Sequence, residues 1–158
     1  MNGTRRLIGS FNHGSMANAL PQAVGAQMAY PNRQVISLSG DGGLAMLMGD
    51  LLTIPQYQLP LKIVLFNNHR LGMVQLEMEA AGLPHYGCEL KNPDFAAYAR
   101  AFGGHGETVE KTEDFAAAFE RALAVGKPAI IHVKTDPEAL TSRITLSKLR
   151  EQALAKAH

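Results

Sequence analysis

The chain has 158 residues, of which 46% are apolar and 18% are charged. This length and composition predict one compact domain over residues 1–158 and exclude long disorder. Fifteen Lys and Arg against 14 Asp and Glu leave a formal charge of +1, which gives no electrostatic footprint for DNA or RNA. The single Cys88 cannot form an internal disulfide and the apolar runs are too short to cross a bilayer, so we expect a cytoplasmic protein.

Short apolar runs rich in branched residues alternate with stretches of helical spacing. Apolar runs of this kind predict buried strands, and helices are predicted from their periodicity and capping residues. In chain order, the predictions begin with a helix over 15–29, a strand over 34–39, a helix over 44–58 that Pro55 ends or kinks, and a strand over 61–66. They continue with an irregular flap over 80–91, helices over 92–100 and 112–126, a strand over 128–133 and a helix over 145–158. This alternation predicts an α/β fold with a doubly wound, mainly parallel sheet and helices on both faces.

A glycine-rich turn, Gly40-Asp41-Gly42-Gly43, stands directly after one predicted strand and directly before a helix. Glycines let backbone amides approach an anion closely, and the start of the helix presents unpaired N–H groups. A tight turn with Asp41 as the N-cap of the helix would give the same pattern. This segment by itself therefore leaves both interpretations open.

The next predicted strand ends in Asn67-Asn68. We expect the two strands to be neighbours in the sheet, about 4.8 Å apart, so Asp41 and one of the two asparagines would reach a single cation. Carboxylate and carboxamide oxygens suit Mg²⁺ completed by phosphate oxygens and water, and they suit Zn²⁺ poorly. These residues predict a ligand that combines a diphosphate with Mg²⁺.

Gly40-Asp41-Gly42, followed by twenty-four residues and Asn67-Asn68, resembles the thiamine diphosphate (ThDP) motif of the pyruvate oxidase and acetolactate synthase superfamily. Within it, residues 9–26 and 46–52 resemble the pyruvate dehydrogenase (quinone) branch, and the similarity extends from residue 1 to about residue 145. The resemblance implies a ThDP-binding fold. It also implies the cofactor-binding domain of a pyruvate:quinone oxidoreductase, which converts pyruvate to acetate and CO₂.

The same resemblance implies a role for each matching residue. Mg²⁺ would be bound by the side-chain oxygens of Asp41 and Asn68 and by the backbone carbonyl of Arg70. The turn of Gly40, Gly42 and Gly43 would hold the diphosphate through backbone amides.

Three further positions match the family around the reactive part of the cofactor. Met16 corresponds to the bulky residue that supports ThDP in its bent form, and Gly14 would bind the edge of the aminopyrimidine ring. Glu77 matches a glutamate near the reacting carbons, and residues 72–90 would cover the substrate. Met73 stands where the closest relatives would have an aromatic residue.

The family's reaction needs groups that the resemblance does not assign to this chain. Relatives supply FAD from a second domain and a glutamate from another domain, generally on a partner chain. We therefore expect a homo-oligomer with further domains and no turnover by the chain alone. The resemblance also implies a 2-keto acid substrate and at most peripheral contact of the full-length enzyme with the inner membrane. The alternatives are an acetolactate-synthase-like carboligase domain and a non-catalytic diphosphate-binding module.

The histidines and the cysteine are weighed separately. His132 lies in an apolar strand and is predicted to be packed and hydrogen-bonded. His13 and His69 flank the proposed site, and contact with the diphosphate or with a substrate carboxylate stays open for both. Cys88 has no identifiable base partner, so a catalytic thiol is not expected.

Overall fold

A four-stranded parallel sheet forms the centre of the fold. The computed structural model describes residues 4–141 and 143–156. The strands are β1 (Ile36–Gly40), β2 (Lys62–Asn67), β3 (His105–Val109) and β4 (Ala129–Lys134). Their order in the sheet is β1-β2-β4-β3, and each neighbouring pair is parallel. The predicted α/β class and the predominantly parallel sheet are confirmed.

Helices connect and follow the strands. In the described ranges they are α1 (Ala19–Ala29), α2 (Asp41–Met46), α3 (Thr53–Gln56), α4 (Gly72–Ala80), α5 (Phe95–Ala101), α6 (Phe115–Ala124) and α7 (Leu146–Lys156). Short 3₁₀ turns occupy Met48–Leu52 and Thr112–Asp114. Across those same ranges, no helix has both the length and the apolar character needed to span a membrane.

Alternating side chains of the central strands fill two cores, one on each face of the sheet. Ile63 and Leu65 of β2 pack in one core with residues of α1, α2, α3 and α5. Val64 of β2 and Ile131 of β4 pack in the other core with Ala118 and Ala122 of α6. Helices therefore cover both faces, as predicted.

The second face is covered unevenly. Helix α6 contacts β3 and β4, whereas the side chains of β1 on this face are exposed. Ile36 is 41% exposed, Leu38 is 60% exposed, and Phe66 at the end of β2 is 43% exposed. These three residues form an uncovered apolar strip on the sheet.

The three predicted strands are confirmed to within two residues, but β3 was not predicted. Its sequence, His105-Gly-Glu-Thr-Val109, contains a glycine and a charged residue and lies half-buried at the sheet edge. A Cβ atom on Gly106 would lie 1.9 Å from the carbonyl oxygen of Ala96. Glycine at this position allows α5 to pack directly on β3, and that close approach is invisible to hydrophobic patterning.

The prediction of one helix over residues 44–58 is wrong, because the structure divides this stretch into α2, a 3₁₀ turn and α3. Leu47 has φ −127° and ψ 33°, which ends α2. Pro55 has no N–H to bond to the carbonyl of Leu51, so a continuous α-helix would lose a hydrogen bond there. Helix α1 also starts later than predicted, at Ala19, because Gly14 has φ +65° and residues 11–13 and 16–17 form turns.

Helix α4 was not predicted, and the irregular segment follows it. The backbone between α4 and α5 returns to the loop that precedes α4: Leu71 N–H donates to the Cys88 carbonyl at 2.7 Å, and Leu90 N–H donates to the His69 carbonyl at 2.8 Å. Part of the predicted flap is thereby fixed to the end of β2. The predicted helices over 92–100 and 112–126 are confirmed with later starts, and the last one is confirmed as α7, whose predicted residues 157–158 lie outside the described part.

Candidate functional site

The candidate site lies at the carboxyl ends of β1 and β2. The expected strand neighbourhood is confirmed, because the two strands pair in register with Gly40 opposite Phe66. Asp41 directly follows β1 and Asn67 is the last residue of β2, and they are 3% and 0% exposed. Gly40 is the N-cap of α2 and Asp41 is the first residue of the helix, so the interpretation of Asp41 as an N-cap is wrong.

A chain of side-chain hydrogen bonds connects Asp41 to the middle of the sheet. Nδ2 of Asn92 donates to Oδ2 of Asp41 at 2.7 Å and to Oδ1 of Asn67 at 3.0 Å. Nδ2 of Asn67 in turn donates to Nε2 of His132 at 2.8 Å. Because an amide nitrogen can only donate, Nε2 of His132 is the acceptor and carries no proton in this bond. His132 is 3% exposed, and burial lowers its pKa. The prediction of a packed, hydrogen-bonded His132 is confirmed.

The loop after β2 is shaped by both asparagines. Oδ1 of Asn67 accepts from the N–H of His69 at 2.9 Å, and Oδ1 of Asn68 accepts from the N–H of Arg70 at 3.0 Å. His69 adopts φ +58°, which turns the chain sharply at this point. The loop also borders a cavity of about 210 Å³.

The donor set suits a hard cation. The carboxylate of Asp41, the carboxamide of Asn68 and the carbonyl of Arg70 offer oxygen atoms, which Mg²⁺ prefers and normally supplements with phosphate oxygens and water. In the described ranges no group of three or more His, Cys, Asp or Glu side chains could hold a metal ion. The chemistry of these residues therefore fits Mg²⁺ carried with a diphosphate.

Met16 lies over the glycine turn. A Cβ atom built on Gly43 would be 2.3 Å from the Met16 carbonyl oxygen, and one built on Gly42 would be 3.3 Å from Met16 Cε. A Cβ atom on Gly40 would meet nothing within 4 Å. Gly14 has a positive φ and donates its N–H to the Ser10 carbonyl at 2.7 Å, which closes a turn just before Met16.

Within residues 4–141 and 143–156, the side chains of Glu77, His13 and Cys88 form no hydrogen bond to Asp41, Asn67 or Asn92. Glu77 is exposed on α4 beside Met73 and Val74, which are 69% and 42% exposed. His13 is exposed on the turn before Gly14, and Cys88 is 1% exposed. The role of Glu77 stays a prediction.

Asn92 was not recognised from the sequence as a site residue. Asn92-Pro93-Asp94 predicted only the start of a helix, and Asp94 is indeed the N-cap of α5. Hydrogen bonds from the backbone N–H groups of Ala97 and Ala96 to the Asp94 carboxylate lower the pKa of Asp94. No local pattern marks Asn92, because its contacts to Asp41 and Asn67 span 51 and 25 residues.

The parallel sheet, the glycine turn after β1 and the paired asparagines at the end of β2 are the features of a cofactor-binding α/β domain of the thiamine diphosphate type. Residues 1–133 match the family described as "Thiamine pyrophosphate enzyme, C-terminal TPP binding domain". The chain belongs to this family, as the resemblance implied.

Relatives support the same family. The chain is 37% identical over 151 residues to the putative thiamine pyrophosphate-containing protein YdaP of Bacillus subtilis strain 168. The aligned residues make up 95% of this chain and 26% of that protein. It is 41% identical over 131 residues to the acetolactate synthase isozyme 2 large subunit of Escherichia coli K12, which covers 82% of this chain and 24% of that subunit. The chain thus spans about a quarter of the length of these relatives.

Proposed function

We propose that this chain is the ThDP- and Mg²⁺-binding domain of an enzyme that decarboxylates a 2-keto acid. One observation carries the proposal: buried Asp41 and the Asn67-Asn68 pair stand at neighbouring strand ends beside a glycine turn. Parallel α/β sheets bind ligands at this edge. The membership of the chain in a thiamine pyrophosphate-binding family supports the identity of the ligand.

Each group at the strand ends has a task in this proposal. Oxygens of Asp41, Asn68 and the Arg70 backbone would hold Mg²⁺, and the amides of Gly42 and Gly43 would bind the diphosphate. When bound, ThDP supplies a thiazolium ring that accepts the electron pair released as a 2-keto acid loses CO₂. The rigid turn and the buried network beneath it would keep these groups in place and limit access of water.

The residues around the glycine turn would orient the reactive part of the cofactor. Met16 is 48% exposed, so its thioether is available as an apolar support for a ring placed over Gly42. The Gly14 carbonyl would accept from the aminopyrimidine edge. Glu77, exposed on α4, would hold or transfer a proton near the substrate.

For the reaction, two candidates have support of different kinds. The similarity of residues 9–26 and 46–52 to pyruvate dehydrogenase (quinone) favours oxidative decarboxylation of pyruvate to acetate, with electrons passed to a quinone. The 41% identity to an acetolactate synthase subunit favours carboligation of two 2-keto acids. Product analysis separates the candidates when this chain is joined to domains that supply FAD and the activating glutamate. Acetate with reduced quinone supports the first candidate, and acetolactate supports the second.

Completion of the catalytic machinery by further domains and a second chain is part of the proposal, whereas binding of ThDP and Mg²⁺ is assigned to this chain alone. The uncovered strip of Ile36, Leu38 and Phe66 supports it, because exposed apolar patches mark interaction surfaces. FAD would come from such a domain, and the chain alone would be inactive. We also propose a cytoplasmic location with at most peripheral contact to the inner membrane. The single buried thiol of Cys88 suits a reducing compartment.

Calorimetry on the 158-residue chain tests the binding function. We expect ThDP to bind in the presence of Mg²⁺, and Asp41→Asn to weaken that binding at least tenfold because it removes the anionic ligand. Asp114→Asn, a change of the same kind at the start of α6, serves as the matched control. Preferential binding of ATP or NAD would favour the non-catalytic module instead, and the absence of ThDP binding would contradict the proposal.

A further inference from the structure

We infer that Asn92 is a positioning residue, which fixes the Asp41 carboxylate and the loop of Asn68 in one arrangement ready for Mg²⁺; this inference rests on the proposed function. The evidence is the double donation by Nδ2 of Asn92, at 2.7 Å to Oδ2 of Asp41 and at 3.0 Å to Oδ1 of Asn67. One carboxamide therefore joins the ends of two neighbouring strands.

The position of Asn92 is itself determined from both sides. On its N-terminal side, residues 88–90 bond to the loop after β2 through Leu71 N–H to Cys88 O and Leu90 N–H to His69 O. On its C-terminal side, Asp94 caps α5 by accepting from the N–H groups of Ala96 and Ala97 at 2.9 and 3.0 Å. A side chain held between two such anchors loses little further freedom when it donates to Asp41.

The carboxylate needs an external support of this kind. Asp41 is the first residue of α2 and not its N-cap, so its carboxylate is not held as the cap of that helix. Within the described part of the chain, Asn92 is the side chain that donates to this carboxylate. Oδ2 accepts one hydrogen bond from Asn92, and because each carboxylate oxygen has two lone pairs, the oriented carboxylate can still bind a metal ion.

The other bond of Asn92 reaches the metal loop through Asn67. Oδ1 of Asn67 accepts both from Asn92 and from the N–H of His69, the residue between the proposed ligands Asn68 and Arg70. Nδ2 of Asn67 is fixed by His132. Asn92 thus sets the separation between Asp41 and this loop, which is the distance that a shared cation must bridge. Partners that orient ligands from outside typically change metal affinity by about 10- to 100-fold.

The test compares Asn92→Leu, which keeps the size of the side chain and removes its donors, with the parent chain. Titration calorimetry measures the dissociation constant of ThDP in saturating Mg²⁺ and the Mg²⁺ concentration for half-saturation at fixed ThDP. We expect the Mg²⁺ requirement to rise about tenfold or more in Asn92→Leu. Asn32→Leu, in the exposed turn before β1, is the matched control and should leave both values unchanged.

The outcomes separate positioning from other roles. Denaturation midpoints measured on the same samples report any general destabilisation, which would lower the midpoint without changing the Mg²⁺ requirement of the folded chain. An unchanged Mg²⁺ requirement in Asn92→Leu overturns the inference and leaves the proposed function intact. A lower requirement means that the amide competes with the ion, and this also overturns the inference. Failure of the parent chain to bind ThDP with Mg²⁺ overturns the proposed function, and the inference with it.

Discussion

Gly43 lies so close to Met16 that a Cβ atom at position 43 would be 2.3 Å from the Met16 carbonyl oxygen and 3.1 Å from its carbonyl carbon. Both contacts are to backbone, so no side-chain rotation would relieve them. Glycine at position 43 is thus required by the packing of the turn that carries Met16. A Cβ atom on Gly40, three residues earlier, would meet nothing within 4 Å.

Gly43→Ala is therefore expected to displace the Met16 turn and to destabilise the fold by about 1–3 kcal/mol, the usual cost of overpacking. Urea denaturation of the parent and the variant measures the change. Gly49→Ala is the matched control, because a Cβ atom at Gly49 has no neighbour within 4 Å. Equal midpoints for the two variants would show that the backbone at Met16 yields freely.

The architecture followed from hydrophobic patterning where strands are buried on both faces. Runs such as Ile63-Val64-Leu65 serve both cores and are apolar throughout, so their burial is visible in the sequence. The edge strand β3 was not predicted, because Gly106 and Glu107 interrupt any apolar run. What places this strand is the close contact of Gly106 with the backbone of Ala96, a tertiary relationship.

Of the site, only the polar residues at the strand ends were predictable from the sequence. Asp41 and Asn67-Asn68 were recognised because they directly follow strands, whose carboxyl ends must meet at one edge of a parallel sheet. The bonds that support them were not predicted: His132 was expected to be packed and hydrogen-bonded, but its partner Asn67 was not identified, and Asn92 was expected only to precede a helix. The partners of both residues lie far away in the sequence, 65 residues for the bond of His132 to Asn67 and 51 and 25 residues for the bonds of Asn92, so no local pattern identifies them.

His132 gives the fold a dependence on pH. Burial is the strongest influence on this ring and lowers its pKa below the ordinary value of 6.5. Of the charged groups that face the ring, Lys134 and His69 lower the pKa further, whereas Asp94 and Asp41 raise it. The folded chain therefore binds a proton at His132 less readily than the unfolded chain does.

This difference in proton binding fixes the direction of the effect. Between the lowered pKa and 6.5 the unfolded state holds more protons at this ring, so stability falls as the pH is lowered through 6.5. Protonation of Nε2 would also remove the acceptor for Asn67. We expect His132→Gln, which keeps a neutral acceptor, to show a weaker loss of stability between pH 7 and pH 5.

Urea denaturation at a series of pH values measures this dependence, and the comparison with the parent cancels the contribution of the other histidines. His13→Gln, on an exposed residue, is the control and should follow the pH profile of the parent. Parallel profiles for the parent and His132→Gln would mean that His132 is not the group responsible.

Helix α7 contributes a charge to a buried carboxylate on α4. Glu79 is 3% exposed, and its Oε1 lies 2.9 Å from Nδ1 of His85. Its other oxygen, Oε2, has no hydrogen bond but lies 3.5 Å from Nε of Arg150. These groups border a cavity of about 140 Å³ between α4 and α7. Arg150 is thus the cation that α7 places beside a carboxylate with one unbonded oxygen.

Arg150→Met is expected to destabilise the chain by up to about 1 kcal/mol, because Arg150 is half-exposed and solvent screens the pair. In a Glu79→Gln background the same change should cost less, since no buried negative charge would be left without a counterion. Urea denaturation of the four chains closes a double-mutant cycle that isolates the coupling. Lys148→Met, which removes a charge from the same helix, should cost the same in both backgrounds. If Arg150→Met also costs the same in both, the interaction between α7 and Glu79 is not electrostatic, and packing of Leu146, 4% exposed, would be what holds the helix.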